Sequence, residues 1–70
     1  MQIIFTKHAQ RRMVERNIPK EDILDCLANP YRLEKDQNKG TCQKLTPRGI
    51  IEIVFEKKDN NLIVITAYWV

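Results

Sequence analysis

The sequence predicts an α+β domain in which two N-terminal helices pack on one face of a four-stranded antiparallel meander. Three observations carry this prediction. The first 30 residues show helical spacing with start and stop signals, the period of the apolar residues changes to two at Tyr31, and turn-forming residues then recur at short intervals. The 70 residues are expected to form one domain, 1–70, near the lower size limit for a core without disulfides or metals.

The first helix is predicted between a capping threonine and a short break. Residues 2–6 are expected to form a short opening strand or an extended lead-in. Thr6 is a plausible N-cap, because its hydroxyl can accept a hydrogen bond from an N–H group of the first turn, and the helix should end near Asn17. Its apolar stripe is thin and consists of Ala9, Met13 and, more weakly, Val14. Much of the circumference of this helix is therefore left for charged side chains.

A second helix is predicted to start at Pro19 and to stop at Asn29-Pro30. Glu21 and Asp22 lie in its first turn, where carboxylates interact favourably with the helix dipole. Its predicted apolar face consists of Ile23, Leu24, Leu27 and Ala28. We expect this helix to be purely structural.

Four strands are predicted after Pro30, because apolar and polar residues then alternate between turn-forming residues. They cover residues 31–36, 41–46, 50–58 and 62–70. The third is expected to place Ile51, Ile53 and Phe55 on one face and Glu52 and Glu56 on the other. The last is apolar on both faces, which is typical of a central or covered strand. Strict alternation in it puts Val64, Thr66 and Tyr68 on one face and Ile63, Ile65, Ala67 and Trp69 on the other.

Composition limits the class of protein. Hydrophobic residues make up 43% of the chain and charged residues 30%, a balance typical of soluble globular proteins. The N-terminal apolar run is too short for a signal peptide and the last one too short for a transmembrane helix, so we expect a cytoplasmic protein without a membrane partner. Cys26 and Cys42 lack metal-ligand spacing and are expected to be reduced and partly buried. Neither a metal site nor a cofactor is predicted.

Positive charge is concentrated in residues 7–16. The formal net charge of the chain is +3, and this segment alone carries Lys7, Arg11, Arg12 and Arg16 against the single acid Glu15. Such a basic segment suits an anionic partner. A glycine-rich phosphate loop is nearly excluded, because the chain has only two glycines.

The only histidine, His8, lies in this basic segment. In a helix, His8, Arg12 and Arg16 stand at i, i+4 and i+8 on one side, and Glu15 falls about 20° from His8. A neutral imidazole can act as a general base, and guanidinium groups match phosphate oxygens. We interpret these residues as a set that handles a phosphate. The alternative is a solvated basic face on which arginine pairs with Glu15.

Thr66 and Tyr68 bring two hydroxyls to an otherwise apolar last strand. If the first helix packs beside the end of this strand, these hydroxyls would complete the set around His8 and Arg12. The alternative is that both are ordinary strand-forming residues, with Tyr68 at the edge of the core.

The sequence resembles the domain-of-unknown-function 4258 family over nearly its whole length. The resemblance lies in Phe5-Thr6-Lys7-His8-Ala9-x-x-Arg12-Met13-x-x-Arg16-x-Ile18, in Asn29-Pro30 and in Thr66-x-Tyr68-Trp69. That family is similar to the compact RelE/BrnT toxins of the barnase–colicin–RelE-like ribonuclease superfamily. The resemblance implies N-terminal helices on a curled antiparallel sheet, and RNA cleavage without a metal.

The leading hypothesis is a metal-independent endoribonuclease of toxin type. Its catalytic residues are expected to be His8, Arg12, Arg16 and Tyr68, and its substrate-binding residues Lys7, Arg11, Glu15 and Thr66. The histidine would act as general base or acid, while the arginines hold the scissile phosphate. Two alternatives stay open: a non-catalytic RNA- or phosphate-binding module, and a protein-interaction module that binds an acidic antitoxin-type partner.

Overall fold

Two helices and five strands make up the computed structural model, which describes residues 2–70. The elements are β1 (Gln2–Phe5), α1 (Lys7–Glu15), α2 (Lys20–Ala28), β2 (Arg32–Asp36), β3 (Lys39–Thr46), β4 (Gly49–Lys58) and β5 (Asn61–Trp69). The strands form one sheet in the order β1-β5-β4-β3-β2. The predicted α+β class and the two helices are confirmed.

The sheet has five strands and not the four of the predicted meander, because the N-terminal segment is a strand of the same sheet. β1 pairs in parallel with the first half of β5, from Gln2 opposite Asn61 to Phe5 opposite Val64. The other neighbours are antiparallel. This pairing makes β5 an internal strand, as its apolar character on both faces predicted.

Both helices cover the same face of the sheet. α1 contacts β5 and β1, and α2 contacts β3 and β4. The core between the helices and the sheet consists of Ala9, Ile18, Ile23, Cys26, Cys42, Ile51, Ile53, Phe55, Leu62, Val64 and Ala67. We call the covered side the helix face of the sheet and the opposite side the open face.

The ends of α1 are fixed by a side-chain cap at the start and a backbone cap at the end. The hydroxyl of Thr6 accepts a hydrogen bond from the N–H of Ala9 at 3.0 Å, which confirms the predicted N-cap. At the other end Asn17 has a φ of 53°, and the N–H of Ile18 donates to the carbonyl of Met13 at 2.8 Å. These are the features of a Schellman C-cap, in which a left-handed residue closes the helix.

The predicted apolar face of α2 was wrong in part. Ile23 and Cys26 are fully buried, whereas Leu24 is 37% exposed and Ala28 is exposed. The buried side of the helix also includes Asp22, whose two carboxylate oxygens accept hydrogen bonds from Arg48 at 3.0 and 3.1 Å. Burial of this carboxylate is tolerated because the guanidinium supplies two charge-assisted hydrogen bonds.

The predicted faces of β5 were also wrong in part, because the strand contains a β-bulge. Val54 of β4 pairs with Thr66, but the next residue, Phe55, pairs with Val64, so Ile65 is an additional residue. An additional residue reverses the alternation of side chains along one strand. Val64 therefore joins the helix face with Ala67, and Ile63 is on the open face with Thr66 and Tyr68.

Candidate nucleic-acid interface

α1 exposes a basic surface on the side turned away from the core. Ala9 is fully buried and Met13 packs against the core, so the opposite side of the helix faces solvent. The exposed or half-buried cationic and imidazole side chains there are Lys7, His8, Arg11 and Arg12, which we call the α1 basic surface. The sequence predicted a shared side for His8, Arg12, Arg16 and Glu15, with Arg11 and Lys7 at its periphery. Arg16 is left out of the α1 basic surface because it is bonded to the sheet.

Arg12 is paired with the one carboxylate of the helix. Its Nη1 lies 2.5 Å from Oε1 of Glu15, and the two side chains are 33% and 50% exposed. Half-exposed pairs of this kind contribute little to stability, so a phosphate can compete for Arg12 at small cost. Glu15 is bonded to Arg12 and not to His8. Glu15 lies seven positions after His8 along the helix, an axial distance of about 10 Å.

Arg16 binds the edge of the sheet. β1 pairs only as far as Val64, so the second half of β5 has no strand on that side within residues 2–70. Nη1 of Arg16 donates to the carbonyl of Ala67 at 2.8 Å, and the Thr6 hydroxyl donates to the carbonyl of Ile65 at 3.1 Å. These two side chains satisfy backbone carbonyls that would otherwise need a neighbouring strand or water.

Trp69, near the end of β5, donates a second hydrogen bond between this strand and the end of α1. Its indole Nε1 donates to the carbonyl of Arg16 at 2.8 Å. Because Trp69 pairs with Ile51, its side chain is on the helix face, where it packs against the core. The end of α1 is therefore held to the end of β5 by one hydrogen bond in each direction.

Thr66 and Tyr68 lie on the open face. Tyr68 is directly opposite Glu52 and Thr66 is opposite Val54, so all four side chains point away from the buried residues of β4. The Tyr68 hydroxyl donates a hydrogen bond to Oε2 of Glu52. The amide of Gln43, on β3, donates to Oε1 of the same carboxylate.

These contacts change the acidity of the two ionisable partners. The hydrogen bond from Tyr68, and then that from Gln43, lower the pKa of Glu52, because both favour the charged carboxylate. The same bond to Glu52 raises the pKa of Tyr68, because the phenol loses its proton donor role when it ionises. Tyr68 is therefore held as a neutral donor to a carboxylate.

The predicted site residues are thus divided between two sides of the sheet. His8, Arg11, Arg12 and Lys7 lie on α1 above the helix face, while Thr66 and Tyr68 lie on the open face. Arg16 does contact β5, because its guanidinium donates to the carbonyl of Ala67, the residue between Thr66 and Tyr68. The catalytic and substrate-binding roles of these residues stay predictions.

Sequence reasoning missed the partners of Tyr68. Glu52 and Gln43 were assigned no role, although Glu52 was correctly placed on the polar side of its strand. The available signal was the position of Glu52 between apolar residues on both sides of it in β4. Its pairing with Tyr68 depends on the cross-strand register, which the bulge in β5 alters.

Residues 2–70 contain neither a cluster of metal-ligating side chains nor a membrane-spanning helix. His, Cys, Asp and Glu side chains form no group of three or more in this part of the chain that could hold a metal ion. Among the same residues, no helix has the length and apolar character needed to cross a membrane.

Comparison with known proteins identifies one match. The family model with the description Domain of unknown function (DUF4258) matches residues 5–69, which include the whole α1 basic surface and all of α2, β2, β3, β4 and β5. Neither the curated proteins nor the solved structures contain a match to the chain.

Proposed function

Because the chain belongs to the family Domain of unknown function (DUF4258), whose description names no activity, we propose a function from the residues themselves: the α1 basic surface binds the phosphate groups of RNA. The observation that carries this proposal is the placement of the charge. Four cationic residues and one acid occupy residues 7–16, and Lys7 and Arg11 are exposed there. A cluster of this kind lowers the potential energy of a phosphate at one place on the molecule.

RNA is the nucleic acid proposed because of the resemblance to RelE/BrnT-like toxins. Phosphate contacts supply most of the affinity in such interfaces and do not depend on the base sequence. An acidic antitoxin-type partner would bind the same surface for the same electrostatic reason. It would therefore compete with RNA.

The test is the affinity for a single-stranded RNA oligonucleotide at fixed salt. We expect the double variant Lys7→Ala/Arg11→Ala to bind at least about tenfold more weakly than the wild type, because two phosphate contacts are lost. The matched control is Lys57→Ala/Lys58→Ala, which removes the same charge from exposed positions near the β4–β5 turn. Equal losses in the two double variants would show that only the net charge matters, and would contradict the proposed surface.

A second candidate function is metal-independent RNA cleavage, which is favoured by the exposed imidazole one helical turn from Arg12. His8 would take the proton of a ribose 2′-hydroxyl as this oxygen attacks the adjacent phosphorus. The P–O5′ bond then breaks, the 5′-oxygen leaves with a proton from the imidazolium, and a 2′,3′-cyclic phosphate and a 5′-hydroxyl end result. Arg12, released from Glu15, would stabilise the charge that develops on the phosphoryl oxygens. Tyr68 and Thr66 lie on the other side of the sheet and are not needed for these steps.

Cleavage is tested with the same RNA in the presence of EDTA. His8→Ala and Arg12→Ala should each lower the rate by about 100-fold or more while binding persists in His8→Ala. Tyr68→Phe is the control, and it should retain the wild-type rate. If all variants cleave equally, the activity does not come from this site, and if none including the wild type cleaves, only the binding function remains.

A further inference from the structure

The two cysteines of the chain meet in the core. Cys26, on α2, is fully buried and Cys42, on β3, is 1% exposed. Their Sγ atoms are 3.4 Å apart, and both are free thiols. The sulfur atoms of a disulfide are about 2.05 Å apart, so the two sulfurs would have to approach each other by a little over 1 Å to form one. The sequence alone gave no indication that these residues, in a helix and a strand, are neighbours.

One of the two cysteines lies in the wall of a cavity. This cavity has a volume of about 310 Å³ and lies below the end of α2, beside β2 and the sheet. Its wall includes Cys42 together with Leu27, Leu33, Phe55 and Leu62, but not Cys26. Of the two cysteines, Cys42 is thus the one beside the cavity, although its side chain is only 1% exposed.

The contact between the two thiols shifts their pKa values in opposite directions. The Cys26 thiol donates a hydrogen bond to the Cys42 sulfur, and this contact lowers the pKa of Cys42 although burial opposes the change. The same hydrogen bond and burial raise the pKa of Cys26. Because the thiolate is the reactive form, Cys42 is the more nucleophilic of the two. Cys42 is thus both the cysteine beside the cavity and the more nucleophilic of the two.

We propose that Cys26 and Cys42 form a peroxide-sensitive dithiol that closes reversibly to a disulfide between α2 and β3. The Cys42 thiolate attacks one oxygen of hydrogen peroxide, the O–O bond breaks, and the departing hydroxide takes a proton to become water. Cys42 is then a sulfenic acid. The sulfur of Cys26 attacks it, the S–S bond forms, the S–O bond breaks, and the proton from Cys26 leaves with the hydroxide as a second water. Two thiols are oxidised and one peroxide is reduced.

Closure of this disulfide would restrain the unfolded chain. The two residues are 16 positions apart, so the bond closes a short loop that joins α2 to β3. The α1 basic surface lies outside this loop. The modification therefore acts on stability and is independent of the proposed RNA binding.

The experiment treats the native wild-type protein with hydrogen peroxide, unfolds it, labels free thiols with a maleimide and measures the intact mass. We expect a monomer that has lost two hydrogens and carries no label, and full labelling of both thiols after treatment with dithiothreitol. The oxidised protein should melt about 10 °C or more above the reduced one. Two labelled thiols after excess peroxide, or disulfides only between molecules, would overturn the proposal.

The order of attack is tested with dimedone, which traps sulfenic acids. Cys26→Ala should accumulate a dimedone adduct at Cys42, because the second thiol is missing, and Cys42→Ala should form no adduct at a comparable rate. Trapping in the wild type, followed by peptide mapping, gives the same assignment without relying on the folding of either variant. An adduct that forms on Cys26 as fast as on Cys42 would contradict the proposed roles.

Discussion

Glu52 accepts a hydrogen bond on each carboxylate oxygen, from Tyr68 and from Gln43, on the face of the sheet that no helix covers. Hydrogen bonds to the charged form make ionisation easier, and the pKa of Glu52 is lowered accordingly. In the unfolded chain neither donor is held in place. Folding and ionisation of this carboxyl are therefore linked.

The link predicts how stability changes with pH. Because the pKa of Glu52 is lower in the folded state, its contribution is present above its unfolded pKa and is lost as the pH falls through the folded value. Tyr68→Phe removes the larger of its causes. We expect this variant to lose about 1 kcal/mol or less of unfolding free energy at pH 7 and a smaller amount at pH 3.

Urea unfolding at the two pH values measures this difference. Tyr31→Phe is the matched control, because Tyr31 is 80% exposed. It should change the unfolding free energy little at either pH. A loss in Tyr68→Phe that is equal at pH 3 and pH 7 would mean that packing and not ionisation of Glu52 is responsible.

At the scale of elements, the junction between α1 and α2 depends on one left-handed residue. Asn17 has a φ of 53° and closes α1, while Ile18, the next residue, is 4% exposed and belongs to the core. The turn thus contains a left-handed residue, a conformation that costs L-residues free energy, followed directly by the buried side chain of Ile18. Asparagine tolerates this conformation better than most residues, and glycine tolerates it best.

Asn17→Gly should therefore raise the unfolding free energy by roughly 0.5 kcal/mol, and Asn17→Ala should lower it by about 1 kcal/mol. The control is Asn29, which ends α2 with a φ of −147°. Asn29→Gly should bring no gain, because no left-handed conformation is relieved there. Chemical denaturation of the four proteins, wild type included, measures the effect, and a gain in Asn29→Gly as large as that in Asn17→Gly would contradict this account.

The elements differ in how far the sequence determined them. The Thr6 cap, the break after α1 and the ends of α2 follow from local signals, and they were predicted within a few residues. The bulge at Ile65 was not, because it depends on the pairing of β5 with β4 and leaves no mark in the sequence of a strand that has apolar residues on both faces. The buried face of α2 was missed for a related reason. Burial of Asp22 depends on Arg48, which is 26 residues away.

At the scale of the whole molecule, the sheet separates two chemically different surfaces. The α1 basic surface lies above the helix face, and the hydrogen-bonded group of Tyr68, Glu52 and Gln43 lies on the open face. Helical periodicity was enough to predict that the basic residues share a surface. It was not enough to predict which side chains of β5 lie on the face of the sheet that α1 covers. That placement depends on the bulge in β5 and on the packing of α1.

The positive charge on the α1 basic surface predicts how the affinity for RNA depends on salt concentration. Each phosphate contact with single-stranded nucleic acid contributes a slope of about −0.7 in a plot of log K against log salt. Lys7→Ala/Arg11→Ala should make this slope shallower by about 1.4. Lys57→Ala/Lys58→Ala should leave it unchanged, and titrations of both variants between low and moderate salt measure the difference. Parallel slopes for all three proteins would mean that Lys7 and Arg11 do not contact phosphate.

Arg16 and Thr6 also influence how the sheet meets other chains. At one edge, their side chains are hydrogen-bonded to the carbonyls of β5 beyond β1, and β1 itself has only four residues. At the opposite edge, β2 is exposed and carries the charged residues Arg32, Glu34, Lys35 and Asp36. An edge that is short, occupied or charged is a poor template for an added strand. Self-association by strand pairing is therefore disfavoured at both ends of the sheet.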